Sequence, residues 1–530
     1  MRGKADIVAG GHFLFADRRS ALGFWLGSGL VTGGVLLHLP TFWAARDMGF
    51  VLAGMAMDPG MVVGMALIVA GIGAAGYGLL PRAARAGEPF VALAPPEDAP
   101  LTRAHWMLMA ILSVALVIDI MKPASLGFVT PGMRSEYAIG KATVALLPFC
   151  ALMGTAAGSF IWGALADIYG RRATILLSSV MFIGTSICGA MPSFWWNLAM
   201  CFLMGAAAGG MLPVTYALLA ELMPTRHRSW CLVLVGGIGA VGGYLASSGL
   251  SALLQPYFGW RIMWFLNLPT GLILIGLSPF IPESARFLEM MGRIGEARRV
   301  LARFGVSLTR ATEKIEKDSP EDRLPLPPVD HGYLGTTVAL TLAALAWGFV
   351  NFGVLLWLPA ALVAEGRSVG PASILIAKSA LFAVPTVALV TWLYSAWSTK
   401  WSLAAMIATT ALGLVALLLR ESPGLGPLSG PLVSITLLIV GSTGVISILL
   451  PYAAENYPLR VRGRATGWVA GCSKVGGLVA QGLGALALVP ALGVAAAIVA
   501  VPALVSLVLV ARFGRETRGR DLRELETASP

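Results

Sequence analysis

The stretch Ala220-Glu221-Leu-Met-Pro224-Thr-Arg226-His-Arg228 returns 234 residues later as Ala454-Glu455-Asn-Tyr-Pro458-Leu-Arg460-Val-Arg462. The alanine, the glutamate, the proline and both arginines keep the same offset. A repeat of this length holds six apolar runs, each long enough to form one membrane-spanning helix. It therefore predicts two similar halves of six helices, an arrangement that in transporters encloses a binding site near the middle of the membrane.

The composition excludes an ordinary soluble enzyme. Of the 530 residues, 57% are apolar and only 12% are charged, whereas a soluble domain carries about 25% charged residues. A net charge of +11 would suggest nucleic acid as a partner of a soluble protein. Here the charges lie in short loops between apolar runs, so a lipid bilayer explains the excess better. The five cysteines lack the spacing of a disulfide framework or a metal site, and we expect no cofactor.

Fourteen apolar runs have the length of a membrane span, and the sequence therefore predicts an all-α polytopic membrane protein. Twelve runs form the two halves, and two precede them as extra N-terminal transmembrane helices. The runs cover residues 20–42, 60–81, 105–130, 143–166, 172–191, 195–220, 230–254, 262–281, 336–363, 371–396, 401–419, 430–453, 465–488 and 490–511.

These runs divide the chain into five parts. An extension with a Pro-rich linker (1–100) precedes the first half (101–281), and an inter-half loop (282–335) separates it from the second half (336–512) and the tail (513–530). In the loop, apolar residues spaced by three and four predict one amphipathic helix over Ser284–Phe304, lying under the bundle.

Lysine and arginine predict the orientation, because they are retained on the cytoplasmic side. With both termini inside, 29 of them fall in inner segments and 6 in outer segments. We therefore expect cytoplasmic termini. The Ala-, Gly- and Arg-rich composition favours a bacterial inner membrane.

The loop after the second core run reads Gly163-Ala-Leu-Ala-Asp167-Ile-Tyr-Gly170-Arg171-Arg172. Its glycines permit a tight turn and close helix approach, while the acid and the arginines can hold the turn against a neighbouring helix end. This pattern resembles the signature loop of the major facilitator superfamily. Four further motifs agree: Glu221-x-x-Pro224-x-x-x-Arg228, Pro282-Glu283-Ser284-x-Arg286-Phe287-Leu288, Trp357-Leu358-Pro359 and Glu516-Thr517-Arg518-Gly519-x-x-Leu522.

The central and terminal motifs resemble those of sugar porters and related metabolite:proton symporters, over residues 105–525. The resemblance implies the major facilitator fold and a conformational latch at the cytoplasmic helix ends, which governs switching between states and not substrate recognition. The residues implied in the latch are Gly163, Asp167, Gly170, Arg171, Arg172, Glu221, Arg228, Glu455 and Arg462.

Four ionisable residues lie inside spans, where each costs at least about 2.5–3.5 kcal/mol to insert and is a functional candidate by default. They are Asp119, Lys122, Lys378 and Lys474. Asp119 and Lys122 are three residues apart on one helix, so they can neutralise each other. A salt bridge that only makes insertion tolerable remains the alternative interpretation of this pair. Lys378 is eight residues from the outer loop, and its side chain can instead extend to the membrane surface.

The family comparison bears on coupling. Aromatic-acid symporters typically show I-D-G-[FY]-D in the first core helix, and this chain has Asp119 at the first acid and Lys122 at the second. The arginine that partners the second acid in sugar porters is replaced by Cys201. Proton coupling therefore does not carry over from the resemblance, and Asp119 is left as the candidate proton carrier.

Lys474 falls where the aromatic-acid symporters show an arginine in the eleventh core helix, which implies a cationic substrate site without bidentate geometry. One acid against three lysines predicts an electropositive cavity, which suits an anion. Trp347 and Asn351, four residues apart, can offer an aromatic wall and an amide. The glutamines that bind sugar in sugar porters are absent, so a sugar is not expected.

We therefore expect a secondary active transporter of a small organic anion, a carboxylate metabolite, working by alternating access. Uniport, proton symport and anion exchange all remain open. The alternative is a transporter-like receptor or scaffold that binds a ligand or partner without transport. A nucleotide loop, metal-ligand spacing and a paired nucleophile are absent from the sequence, so an enzyme is not expected. The sequence predicts no oligomeric state.

Overall fold

The computed structural model describes residues 18–79, 99–306, 333–419, 430–457, 459–488 and 490–518. Within these ranges every regular element is helical, which confirms the expected fold class. The long helices are α1 (Arg18–Met48), α2 (Pro59–Leu79), α3 (Arg103–Glu136), α4 (Lys141–Tyr169), α5 (Arg171–Ala190), α6 (Phe194–Leu222), α7 (Arg226–Phe258), α8 (Ile262–Phe280), α11 (Leu334–Ala364), α12 (Val369–Trp397), α13 (Thr399–Leu419), α14 (Pro431–Asn456), α15 (Leu459–Ala485) and α16 (Leu492–Phe513), and the inter-half loop holds the short α9 (Ala285–Met290) and α10 (Ile294–Arg303).

A long helix occupies each of the fourteen predicted places. Thirteen are long and apolar enough to cross a membrane by length and composition. The fourteenth, α15, has the length but is less apolar, because Arg464, Lys474 and several glycines interrupt it. Helices α3–α8 form the first half and α11–α16 the second. We call the end of the bundle that carries Arg171, Arg172 and Arg226 the basic end, and the opposite one the far end.

The inter-half loop departs from the single amphipathic helix predicted over Ser284–Phe304. It forms α9 and α10, separated by a turn in which Gly292 has φ +71°. A left-handed residue cannot continue a right-handed helix, and glycine adopts that conformation at no steric cost. Several apolar residues of both pieces, Phe287 and Leu301 among them, are still buried.

The N-terminal extension packs as a helical hairpin on the first half. Helices α1 and α2 approach so closely that a Cβ on Gly71 would lie 2.7 Å from the carbonyl oxygen of Gly27. Small residues allow such contact between helices in a membrane. The hairpin packs against α5, and its apolar core also includes Phe265 and Ile275 of α8. No such hairpin covers the second half in the described part of the chain.

A buried ion pair at the far end joins the extension to the first half. Glu136 and Arg261 lie 2.6 Å apart, with side chains 5% and 0% exposed. The Glu136 carboxylate also accepts hydrogen bonds from the backbone N–H groups of Leu52 and Ala53 and from the Trp260 indole, at 2.7–3.0 Å. The loop between α1 and α2 and the loop between α7 and α8 are therefore both bonded to one carboxylate at the end of α3.

The Arg261 guanidinium also donates hydrogen bonds to acceptors other than Glu136. It donates to the carbonyl oxygens of Gly189 and Met191 at 3.1 and 2.8 Å and to the Tyr137 hydroxyl at 2.9 Å. A buried ion pair is tolerated when such additional hydrogen bonds satisfy its remaining groups.

Glu136→Gln should therefore destabilise the protein strongly, because it leaves the Arg261 charge buried and uncompensated, at a cost of about 3–5 kcal/mol. The measurement is the thermal denaturation midpoint of purified protein in detergent. Asp47→Asn is the matched control, since it removes one carboxylate from the exposed Arg46–Asp47 pair, and exposed pairs contribute about 0–1 kcal/mol. Equal midpoints for the two variants would contradict the role of Glu136.

Candidate functional site

The two halves enclose a cavity of about 940 Å³ at the centre of the bundle. Its wall comes from α3, α4, α6 and α7 of the first half and from α11, α14 and α15 of the second. The volume lies within the range of about 300–1,000 Å³ typical of small-molecule sites. The wall is largely apolar, and its charged residues are Asp119, Lys474 and Arg464.

The cavity reaches the basic end. Arg464, only five residues from the first residue of α15, lines it and is exposed. A separate cavity of about 820 Å³ lies at the far end. Between the two, α3 packs tightly on α11, because a Cβ on Gly127 would run into the carbonyl group of Leu356. This helix contact lies between the central cavity and the far-end cavity, which are separate.

Asp119 of the first half and Lys474 of the second lie at about the same depth from the basic end. Asp119 is sixteen residues from the start of α3 at Arg103, and Lys474 is fifteen from the start of α15 at Leu459. Both line the cavity. The Lys474 ammonium lies 5.5 Å from the centre of the Phe352 ring, in the range of a cation–π contact.

The position of Lys122 does not fit the expected ion pair between Asp119 and Lys122. Its side chain is 1% exposed, does not line the cavity and lies against the Phe182 ring of α5. Its ammonium has no hydrogen-bond partner among the described residues. A separation of three residues leaves two side chains about 60° apart around a helix. Here that angle directs Asp119 into the cavity and Lys122 towards α5, so the two do not form an ion pair.

Trp347 and Asn351 both line the cavity. The Trp347 indole donates to the carbonyl oxygen of Ser442 at 2.8 Å, and its ring meets Phe352 edge to face with centroids 5.6 Å apart. Asn351 accepts a 2.8 Å hydrogen bond from the Tyr244 hydroxyl of the first half. Residues Phe349–Leu355 of α11 form π-helical turns, a local distortion that is frequent at functional sites.

Lys378 lies outside the cavity. It is exposed on α12, a helix that contributes nothing to the cavity wall. The structure therefore favours the interpretation in which this side chain reaches the membrane surface. Trp357 also lies elsewhere, since it lines the far-end cavity.

Arg171 is the centre of the predicted latch. Its guanidinium bonds to Glu221 of α6 at 2.9 Å and lies 3.4 Å from Asp167. Asp167 is 76% exposed, whereas Glu221 is 20% exposed. The contact with Glu221 is therefore the stronger of the two, because solvent screens the other.

Glu283, which was quoted only as part of a motif, belongs to the same cluster. Its carboxylate accepts from the backbone N–H groups of Arg171 at 2.8 Å and Arg172 at 3.4 Å, and so caps the first turn of α5. Burial raises the pKa of the Glu283 carboxyl. A Cβ on Gly170, whose φ is +96°, would run into this carboxylate, so the glycine is required here.

The remaining latch candidates are distributed along the basic end. Arg172 donates to the carbonyl oxygen of Ser278 at 2.9 Å, and Arg228 points to that of Met223 at 3.5 Å. Gly163 does not support a close helix approach, since a Cβ there would meet nothing within 4 Å. The backbone of Arg462 lies in α15, and its side chain is outside the described residues.

In the second half, Glu455 accepts hydrogen bonds from the Tyr394 and Thr517 hydroxyls at 2.8 and 2.7 Å. The neighbouring Glu516 accepts from Ser398 and Thr399. Desolvation acts to raise the pKa of Glu516, but these donors outweigh it and hold the pKa below its ordinary value.

A family model described as the Major Facilitator Superfamily matches residues 107–481. The chain belongs to the major facilitator superfamily.

Several transporters are similar to this chain over most of their length. A niacin transporter of Acinetobacter baylyi is 24% identical over 390 residues, covering 72% of this chain and 87% of that protein. A 4-hydroxybenzoate transporter of Pseudomonas aeruginosa is 28% identical over 402 residues (73% and 87%). A gentisate transporter of Corynebacterium glutamicum is 27% identical over 373 residues (69% and 78%).

Solved structures share the fold. The xylose transporter of E. coli in a partially occluded inward open conformation matches with a TM-score of 0.63 at 14% identity, over 79% of this chain and all of that chain (100%). The proton:xylose symporter bound to 6-bromo-6-deoxy-D-glucose matches with a TM-score of 0.63 at 17% identity, over 80% and 98%. The extra hairpin of α1 and α2 precedes the segment that the family model matches.

The latch geometry gives a prediction for transport by this superfamily member. Arg171→Ala should lower turnover more than Asp167→Asn, because Arg171 bonds to Glu221 while Asp167 is mostly solvated. Substrate affinity should stay unchanged, since neither residue lines the cavity. Initial transport rates and equilibrium binding on the same preparations provide the two quantities. A large loss of affinity at unchanged turnover would place these residues at the ligand instead.

Proposed function

We propose that this secondary transporter moves a small aromatic carboxylate across the membrane by alternating access of its two halves. One observation carries the proposal: Lys474 lies at mid-depth in a largely apolar cavity between the halves, with the Phe352 ring beside it and Trp347 packed against Phe352. A buried ammonium supplies the charge partner of a carboxylate, and the aromatic rings supply a surface for its ring.

The relatives support this substrate class. Their names describe carriers of niacin, 4-hydroxybenzoate and gentisate, which are small aromatic acids. The alternative of a receptor or scaffold without transport gains no support from them. The central cavity reaches the basic end and is separate from the far-end cavity, which suits alternating access better than a passive docking surface.

Asp119 supports proton symport as the mode of coupling. It is a carboxylate on the wall of the same cavity as Lys474, so it competes with the substrate for the charge of that lysine. A proton on Asp119 removes that competition and frees Lys474 for the incoming anion. Proton and anion would then bind together, with no net charge added to the site. Exchange and uniport remain the outcomes in which Asp119 has no such role.

We further propose an inner-membrane location with the basic end, and thus both termini, in the cytoplasm. The loops at the basic end carry most of the lysine and arginine, which resist translocation. In this orientation the structure is the inward-open state.

Lys474→Ala should weaken binding of 4-hydroxybenzoate or nicotinate by at least about tenfold, or 1.4 kcal/mol, because the carboxylate loses its charge partner. Binding to purified protein is measured by isothermal titration. Lys378→Ala, which removes an ammonium outside the cavity, is the control and should bind like wild type. Asp119→Asn should lose pH-driven accumulation in proteoliposomes while keeping exchange.

Two results would count against these proposals. Unchanged binding and uptake in Lys474→Ala would remove the anion site. Binding by wild-type protein without any uptake into proteoliposomes would favour the receptor alternative.

Single cysteines test the orientation. Asp47→Cys at the far end should react with a membrane-impermeant maleimide in intact cells, and Arg298→Cys in α10 only after the cells are opened, since both side chains are exposed at opposite ends. Labelling of Arg298→Cys in intact cells would reverse the orientation.

A further inference from the structure

A second cation lies in the central cavity, on the same helix face as Lys474. Arg464, Gly467, Trp468, Gly471 and Lys474 all line the cavity, and their spacings of three, one, three and three residues keep them on one side of α15. Arg464 and Lys474 are ten residues apart, which is about 15 Å along a helix. One small aromatic acid therefore cannot contact both backbone positions at once.

The wall between the two cations is open. A Cβ built on either Gly467 or Gly471 would meet nothing within 4 Å. Neither glycine therefore carries a side chain that would narrow the cavity between Arg464 and Lys474.

Aromatic rings flank the path near its mouth. Trp468 is nine residues from the start of α15, and Phe160 is nine residues from the end of α4. Since both helix termini lie at the basic end, the two rings lie at the same depth, one from each half. They are 58% and 81% exposed although both line the cavity. The Trp468 indole donates to Thr341 at 2.9 Å, which fixes one face of the mouth.

We propose that Arg464, Trp468 and Phe160 form a second aromatic-carboxylate subsite at the basic-end mouth, distinct from the site at Lys474. The guanidinium takes the carboxylate, and the two rings take the apolar ring of the acid. The subsite loads and releases substrate on this side only. The inference rests on the proposed transport of aromatic acids and adds a residue that no family motif quoted above includes.

The two faces of the membrane provide the test. Uptake of radiolabelled 4-hydroxybenzoate and nicotinate is measured in inverted vesicles, where the basic end faces the medium, and in right-side-out vesicles. Arg464→Gln should raise the KM at the basic end roughly fivefold to tenfold, the loss of one charge-assisted contact, with the far-end KM within about twofold of wild type. Arg464→Lys should recover most of the loss, because it restores the charge.

Controls separate this effect from a change of surface charge. Arg298→Gln makes the same substitution at the basic end but outside the cavity, and it should leave both KM values at wild type. Trp468→Ala should reproduce the one-sided effect of Arg464→Gln, and Trp468→Phe should not. Equal KM changes at both faces, or none at either, would overturn the subsite.

Failure of the proposed function would look different, because wild-type protein would then transport neither acid from either face. In that case the quenching of tryptophan fluorescence by the acid still tests the subsite. Quenching by 4-hydroxybenzoate that is present in wild type and reduced in Arg464→Gln supports it. Identical quenching in both proteins refutes it.

Discussion

The cost of placing charge inside a membrane governs this structure. An ionisable side chain at mid-span is tolerated where it faces the interior of the bundle or pairs with another charge, and Asp119 and Lys474 meet the first condition from opposite halves. Lys474 contacts the Phe352 ring of its own half, but within the described residues neither side chain forms an ion pair like that of Arg261 with Glu136. Because both charges lie on the wall of one cavity, neutralising one changes the electrostatic energy of the other.

Arg261 and Glu136 represent the opposite solution. Their charges are buried and saturated with hydrogen bonds from three loops, so they have no capacity left for a ligand. This saturation assigns them to the rigid part of the first half, together with the extension. Lys122 is intermediate, since it is buried against Phe182 without a hydrogen bond in the described residues. It lies behind the cavity wall and does not line the cavity.

Much of this arrangement could be predicted from the sequence, because the repeat at Glu221 and Glu455 and the apolar runs depend on local pattern and length. The depth of Asp119 and Lys474 followed from their positions within their runs. The direction of Lys122 did not, since a spacing of three residues leaves two faces possible and only the packing of α5 decides. The cap that Glu283 forms on α5 joins residues 112 positions apart, and no local signal predicts such a contact. Arg464 lies just before the predicted run at residues 465–488, because the sequence does not show that α15 already begins at Leu459.

The two halves hold their basic ends by different chemistry despite the repeat. In the first half the glutamate of the repeat bonds to an arginine, and a second glutamate caps the next helix. In the second half the equivalent Glu455 receives the hydroxyls of Tyr394 and Thr517, and Glu516 joins the same cluster. Both hydroxyls donate to a carboxylate, so these bonds are charge-assisted as well, and Thr517, which supplies one of them, follows the last helix of the second half. The extension adds a further contact to the first half at the far end, through Glu136. The glutamate of the repeat therefore acts in both halves as an acceptor that ties its own helix to neighbouring elements, while the donors named above for it differ between the halves.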